Sequence, residues 1–163
     1  MSAAALNELS PYRAVIEPHW IDYNGHLRDA YYAVVFSRAI DDVMEQLGMG
    51  EEYRARTHCT LYTLELHFHY LHEVTAADEL LVRTAVLDCD RKRFIAGSLF
   101  SCARIAAPVA AAEAVLLHVQ QGDRPASAPF PAQIERRLQA LRHAAAGRSD
   151  QIPRSRKLQL QQR

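Results

Sequence analysis

Apolar positions recur along this chain in two rhythms. Val35, Ala39, Val43 and Leu47 fall four residues apart, with Val34 beside the first, which gives a helix one apolar stripe, and Gly48 follows as a natural stop. The spacing predicts a helix from about Arg28 or Asp29 to Leu47. Elsewhere the pattern is strand-like. Residues 12–17 alternate until Pro18 stops them, and residues 60–70, 79–88, 93–105 and 111–121 are rich in β-branched, aromatic and aliphatic side chains. The charged turn 88–92 and the break at Ala106-Ala107-Pro108 are connections of the length that joins antiparallel neighbours. Residues 50–58 read as a polar linker and 125–131 as an extended surface segment. A last helix is expected from about Pro131, with Ile134, Leu138 and Leu141 as its buried stripe. A strand, a long helix and then four strands, without βαβ alternation, predict the α+β class: a five-stranded antiparallel sheet wrapped around a central helix, plus a C-terminal helix.

Composition narrows the classes. With 163 residues, 49% hydrophobic and 23% charged, the chain suits one globular domain, placed at 1–146. Beyond it, residues 147–163 hold five basic side chains against Asp150 alone, and are expected to be a disordered or interacting basic tail. Lys and Arg number 19, as do Asp and Glu, so the chain has none of the basic excess of a nucleic-acid binder. No apolar run reaches the roughly 18–20 residues of a membrane span, so no membrane partner is expected. Cys59, Cys89 and Cys102 are odd in number and form no C-x-x-C pair, which points to reduced thiols in a cytoplasmic protein.

Chemistry concentrates just before the long helix, in Trp20-Ile21-Asp22-Tyr23-Asn24-Gly25-His26. A carboxylate there precedes a glycine that permits close backbone approach, and then a helix start whose unpaired N–H groups favour a developing oxyanion. Base or nucleophile plus oxyanion donor is the minimum equipment for acyl transfer. Spacing alone leaves the alternative open that Asp22 only caps a turn and His26 only fills a polar niche.

The run Asp22-Tyr23-Asn24-Gly25-His26-Leu27-Arg28-Asp29-Ala30-Tyr31-Tyr32 resembles the Asp-x-x-Gly-His opening of hot-dog-fold acyl-CoA thioesterases of the 4-hydroxybenzoyl-CoA thioesterase type. The blocks Leu61-Tyr62-Thr63-Leu64-Glu65-Leu66-His67, Asp90-Arg91-Lys92-Arg93 and Ala114-Val115-Leu116-Leu117-His118-Val119 resemble the betainyl-CoA thioesterases of carnitine breakdown, found alone or fused to L-carnitine dehydrogenase. The likeness spans residues 12–131. It implies a hot-dog fold and thioester hydrolysis without a metal or other cofactor. Asp22 is implied as nucleophile or general base, and the amides near Arg28–Asp29 as the oxyanion site, which puts Asp29 in the catalytic set. Arg28 and Ser37 depart from the family, where Asn and a helix Glu are common.

With no helix Glu at position 37, Glu65 is the candidate second carboxylate, in phase on its strand with Thr63 and His67; it is either on the helix-facing side with a role or a surface Glu on the outer, solvent-facing side. Asn24, Gly25, His26 and His67 are candidate substrate contacts. A betainyl group is a quaternary ammonium, and such cations are held over aromatic faces. Trp20, Tyr23 and Tyr62 are the candidate cage, with Tyr31 nearby, the alternative being that aromatics near a helix start serve only as packing. Arg91, Lys92 and Arg93 could meet the CoA phosphates. His67, His69 and His72 lack zinc-site spacing, so no metal is expected. Open sheet edges, together with the resemblance, imply a homodimer or a homotetramer. Two other functions stay open: a thioesterase for aromatic or medium-chain acyl-CoA, and a non-catalytic acyl-CoA-binding protein.

Overall fold

A computed structural model describes residues 8–146 and 152–153. The basic tail expected from residue 147 lies outside the described residues, apart from Ile152 and Pro153. The elements are β1 (Tyr12–Val15), α1 (Asp29–Leu47), α2 (Glu51–Thr57), β2 (Cys59–Tyr70), β3 (Glu79–Cys89), β4 (Arg93–Cys102), β5 (Ile105–Gln120), β6 (Ala126–Ser127) and α3 (Ala132–Ala145), with a 3-10 turn at Pro18–Trp20. All pairings are antiparallel, in the order β1-β3-β4-β5-β2, with β6 added to β5. The sheet thus has six strands where five were expected, the extra one being two residues within the predicted extended segment.

Helix α1 forms where the apolar spacing placed it. Arg28 is its extended N-cap, and Gly48 closes it with φ +77°, a left-handed conformation that costs glycine little. Its buried face carries Tyr32, Val35, Phe36, Ala39, Ile40, Val43, Met44 and Leu47. That stripe lies on one face of the sheet: Phe36 meets Phe68 of β2 edge to face, and Tyr32 meets Phe100 of β4. Opposite the helix, β4 and β5 present Ala96, Ala110, Ala112 and Ala114, all buried, and these short side chains leave room for the large residues of α1. Each large apolar side chain so buried contributes about 1.5–3 kcal/mol. Helix α3 uses Ile134, Leu138 and Leu141 as predicted and lies against β3.

Two local expectations fail for identifiable reasons. Residues 50–58 contain a helix, α2, because a single buried residue, Tyr53, is enough to dock two turns. Pro108 does not end a strand. The β4–β5 hairpin turns earlier, at Ala103-Arg104, and Pro108 falls where the pairing shifts register between Phe100↔Ala110 and Cys102↔Ile105, a bulge that tolerates a residue without an N–H.

Tyr53 also explains a buried histidine that the hydrophobic pattern does not reveal. His118 of β5 is 1% exposed. Its Nδ1 lies 2.9 Å from the Ala128 carbonyl oxygen, which can only accept, so Nδ1 carries the proton. In the neutral ring Nε2 then accepts from the Tyr53 hydroxyl, also at 2.9 Å. Phe130 stacks on the imidazole at 5.0 Å. One side chain thereby ties α2, β5 and the segment leading into α3 together.

Candidate active site

The loop before α1 is organised by Asp22. An isolated bridge pairs Ile21 with Leu27, the Asp22 N–H donates to the His26 carbonyl (2.8 Å), and the Gly25 N–H donates to the Asp22 carbonyl (3.1 Å). Gly25 has φ +81°, so the Asn-Gly step makes the turn its composition announces. Asp22 Oδ1 accepts the N–H groups of Asn24 (2.8 Å) and His26 (3.1 Å). The His26 amide is the main reason the carboxyl sits below its ordinary pKa; the Asn24 bonds add to it, against partial desolvation. Asp22 is therefore an anion at neutral pH, half-exposed on the loop.

Immediately after the loop the backbone is pinned twice: Leu27 N–H to Val74 O at 2.7 Å and Arg28 N–H to Trp20 O at 3.0 Å. The Arg28 amide is thus already engaged and does not serve as an oxyanion donor. At the helix start, Ala30 N–H is taken by Asp29 Oδ1 (2.8 Å) and Tyr31 N–H by Arg28 O (3.0 Å). Among the described residues this leaves the Asp29 amide as the first-turn donor open to a ligand.

Beside this helix start is a cavity of about 270 Å³, lined by His26, Leu27, Asp29, Tyr32 and the segment from Tyr70 to Val74. Asp22 is not among the lining residues; it reaches the cavity's wall through the bond from the His26 amide. His26 Nε2 lies 3.1 Å from Glu73 Oε2 across the mouth. Tyr70 donates to the Asp29 carbonyl at 3.4 Å and meets Tyr32 edge to face at 5.2 Å. Burial pushes the Tyr32 phenol up to about 12, so it acts only as a neutral group. The wall opposite the helix is held by Arg104 at the β4–β5 tip. Its Nε and Nη2 reach Asp78 at 3.0 and 2.7 Å, and Nη2 also donates to the Glu73 carbonyl at 2.9 Å. Asp78 Oδ2 further accepts the Thr75 N–H (2.8 Å) and hydroxyl (3.0 Å). The Arg104 bonds hold the Asp78 carboxyl well below the usual carboxylate range.

The expected aromatic cage does not assemble within one chain. Trp20 is 2% exposed and stacked on Tyr31 at 5.2 Å, with the Arg38 guanidinium 5.2 Å above its ring, so the protein's own cation occupies that face. Tyr23 is 95% exposed at the loop tip, Tyr62 lies on β2, and no ring contact joins the three among the described residues. Glu65 is corrected as well. Phe68 points to α1, so by alternation Glu65 and His67 point away from it, and a bulge between Thr63 and Glu65 takes Thr63 out of their phase. The Glu65 side chain is 68% exposed and lies 3.6 Å from His67. Of the basic turn, Arg93 is spent on Asp90, with its Nε and Nη2 at 2.8 and 2.6 Å from Oδ2. Arg91 and Lys92 line a recess of about 460 Å³ with Asp90, Ser127 and Pro129. This recess lies near Leu117 on β5, whereas the cavity lies near Val109, roughly 25–30 Å away at ~3.3 Å per residue.

Tyr70, Glu73, Asp78 and Arg104 are not singled out by the sequence, and His72 is weighed there only as a metal ligand. Only Thr75-x-x-Asp78 left a local trace, the spacing at which a side chain accepts an N–H three residues back. Among the described residues, no group of His, Cys, Asp and Glu is arranged to hold a metal ion. Nor is any described helix long and apolar enough to cross a membrane. The three cysteines are free thiols.

A carboxylate loop feeding the start of a helix that a curled antiparallel sheet encloses defines a class. The model of the thioesterase-like superfamily matches residues 16–138, and this chain belongs to that hot-dog family. Its relatives include the betainyl-CoA thioesterase of Pseudomonas aeruginosa, 40% identical over 136 residues, which cover 83% of this chain and 85% of that protein. An L-carnitine dehydrogenase/betainyl-CoA thioesterase of Rhizobium sp is 30% identical over 146 residues, 88% of this chain and 29% of that larger protein. Among solved structures, a putative thioesterase from Pseudomonas putida KT2440 superposes with a TM-score of 0.77 at 36% identity, covering 93% of this chain and 96% of that one. A Staphylococcus aureus protein in complex with CoA shares the fold, with a TM-score of 0.78 at 24% identity over 85% of this chain and 86% of that one.

Proposed function

We propose that this chain is an acyl-CoA thioesterase that hydrolyses betainyl-CoA to betaine and CoA. The observation that carries the chemistry is the ionised Asp22 carboxylate, fixed by the amides of Asn24 and His26 directly before an open helix start. Asp22 attacks the thioester carbonyl, or takes the proton of the water that does. The negative charge passing to the carbonyl oxygen is met by the Asp29 amide and the positive end of α1. When water attacks, the C–S bond breaks to give betaine directly, and the proton that Asp22 took from the water passes to the departing CoA thiolate. When Asp22 attacks, C–S cleavage leaves an Asp22–acyl anhydride, which water then hydrolyses to betaine and the free carboxylate, its proton going to the thiolate. Water is the second substrate, and the reading calls on no metal or redox cofactor. The 40% identical relative supports the choice of acyl group.

The site is completed by a second copy of the chain. Among the described residues strand β2 has one neighbour, β5, and its other edge is unpaired over 12 residues that include exposed Tyr62, Leu64 and Tyr70. Antiparallel pairing of β2 with its copy brings one protomer's Tyr62 end to the other's Tyr70 end. It also offers each cavity the other protomer's Arg91–Lys92 recess for the CoA phosphates. A dimer is the minimum assembly, and a tetramer of two such pairs is compatible with it. CoA thioesters and reduced thiols both suit the cytoplasm.

The test is thiol release from betainyl-, benzoyl- and hexanoyl-CoA by the purified chain. Betainyl-CoA is expected to be the best substrate, and Asp22→Asn to lose at least about a hundredfold in kcat. Undiminished turnover by that variant would remove Asp22 from the mechanism, and acyl-CoA binding without thiol release would make the protein a carrier. Single turnover in oxygen-18 water separates the two roles of Asp22, because a covalent anhydride route labels the enzyme carboxylate first.

A further inference from the structure

A trimethylammonium group is a bulky, diffuse cation that proteins hold against aromatic faces, with anionic groups supplying the counter-charge. The cavity beside α1 has both components. Phe68 stacks on one face of Tyr70 at 5.8 Å, the half-exposed Tyr70 lines the cavity, and the buried Tyr32 meets it in an edge-to-face contact at 5.2 Å. Among the described residues the lining holds two carboxylates, Asp29 and Glu73, with His26 Nε2 3.1 Å from Glu73 and His72 beside it, and no Lys or Arg. Arg104 touches the Glu73 backbone, but its charge is matched by Asp78. The size also fits: about 270 Å³ is below the roughly 300–1,000 Å³ of sites for drug-sized ligands and suits a short acyl group. The Tyr70 side chain points toward α1 rather than along the strand edge, so pairing of β2 with a second copy leaves it facing the cavity.

We infer that the cationic end of the acyl group rests on the open face of Tyr70, with Glu73 and Asp29 supplying the counter-charge. These residues, in place of Trp20, Tyr23 and Tyr62, set the preference for a positively charged substrate. The assignment rests on the betainyl-CoA reading, and its test keeps the two apart. Betainyl-CoA and 3,3-dimethylbutanoyl-CoA have the same shape and differ in a nitrogen cation against a neutral carbon. The measured quantity is the ratio of their kcat/KM values for the full-length protein.

The ratio is expected to fall about tenfold in the double variant Tyr70→Leu with Glu73→Gln, and to return most of the way in Tyr70→Phe, which keeps the ring. Glu73→Gln alone, where the side chain is 74% exposed, is expected to lower it about threefold. A parallel loss on both substrates with the ratio intact would overturn the assignment, because that is how a packing defect behaves. A wild-type protein that hydrolyses neither substrate would instead remove the betainyl-CoA reading itself, and the assignment with it.

Discussion

Replacing Asp78 by Asn isolates the clamp that holds the cavity wall. In the wild type its carboxylate accepts two bonds from Arg104, at 3.0 and 2.7 Å, and two from Thr75, at 2.8 and 3.0 Å. The Asp78 side chain is 4% exposed and that of Arg104 49%, so one partner is desolvated and the other keeps half its contact with water. A hydrogen bond to a charged group contributes about 1.5–3 kcal/mol, and the exposed half of Arg104 argues for the lower end. An amide at position 78 keeps one acceptor oxygen and loses the charge and the two-pronged fit, for a net cost of about 2 kcal/mol. In a chain of this size that lowers Tm by roughly 4–8 °C. The pH dependence has a definite sign. Because the folded pKa is depressed, the pair's stabilisation is complete above the unfolded value of about 4 and is lost as pH falls below it toward the folded pKa. Thermal unfolding followed by circular dichroism at pH 7 and at about pH 3 is the assay, with a smaller Asn penalty expected at the lower pH. The clamp also holds the Glu73 carbonyl and so the strand of chain whose Val74 oxygen anchors Leu27, so KM should rise more than kcat falls. An Asp78→Asn protein melting within about 1 °C of wild type at both pH values would refute this account.

Other consequences follow from the same geometry. His118→Ala, which strands the Tyr53 hydroxyl and the Ala128 carbonyl and opens a cavity under Phe130, is expected to cost about 2–4 kcal/mol in urea unfolding without changing the choice of substrate. Gly48→Ala should cost about 1 kcal/mol, because an alanine resists the φ of +77° that ends α1. Leu64→Lys, on the open edge of β2, is expected to shift the elution volume from dimer to monomer in size-exclusion chromatography and to lower activity with it. Arg93→Ala should leave KM for acyl-CoA nearly unchanged, since that guanidinium is spent on Asp90, whereas Arg91→Ala with Lys92→Ala should raise KM several-fold and more so at low salt.

Local pattern was sufficient wherever the cause of a feature is local. The three-and-four spacing from Val35 to Leu47 and the following Gly48 delimit α1, because helix geometry converts that spacing into one buried face. Asp22-x-Asn24-Gly25-His26 specifies its own turn, because the bonds that Asp22 exchanges with Asn24, Gly25 and His26 span four residues or fewer. The alternating segments announced the strands, and the long helix between the first strand and the rest announced one enclosed helix. What escaped the pattern depends on partners far apart in the chain. Asp78 and Arg104 are 26 residues apart, His118 and Tyr53 are 65 apart, and neither pair has a spacing that local geometry enforces. A single bulge after Thr63 changed which side of β2 its neighbours occupy, because strand facing has a period of two and one extra residue inverts it. Of the aromatic residues close to Asp22 in sequence, Trp20 and Tyr31 are packed against each other and Tyr23 is exposed, while Tyr70, which lines the cavity with Tyr32, arrives from the far end of β2. Sequence thus determined α1, α3, the strands β1 to β5 and the reactive loop, which depend on neighbours a few residues away, but not α2 or β6. Only the tertiary structure decided what surrounds that loop, because the walls of a cavity are chosen by strand register and packing across the sheet.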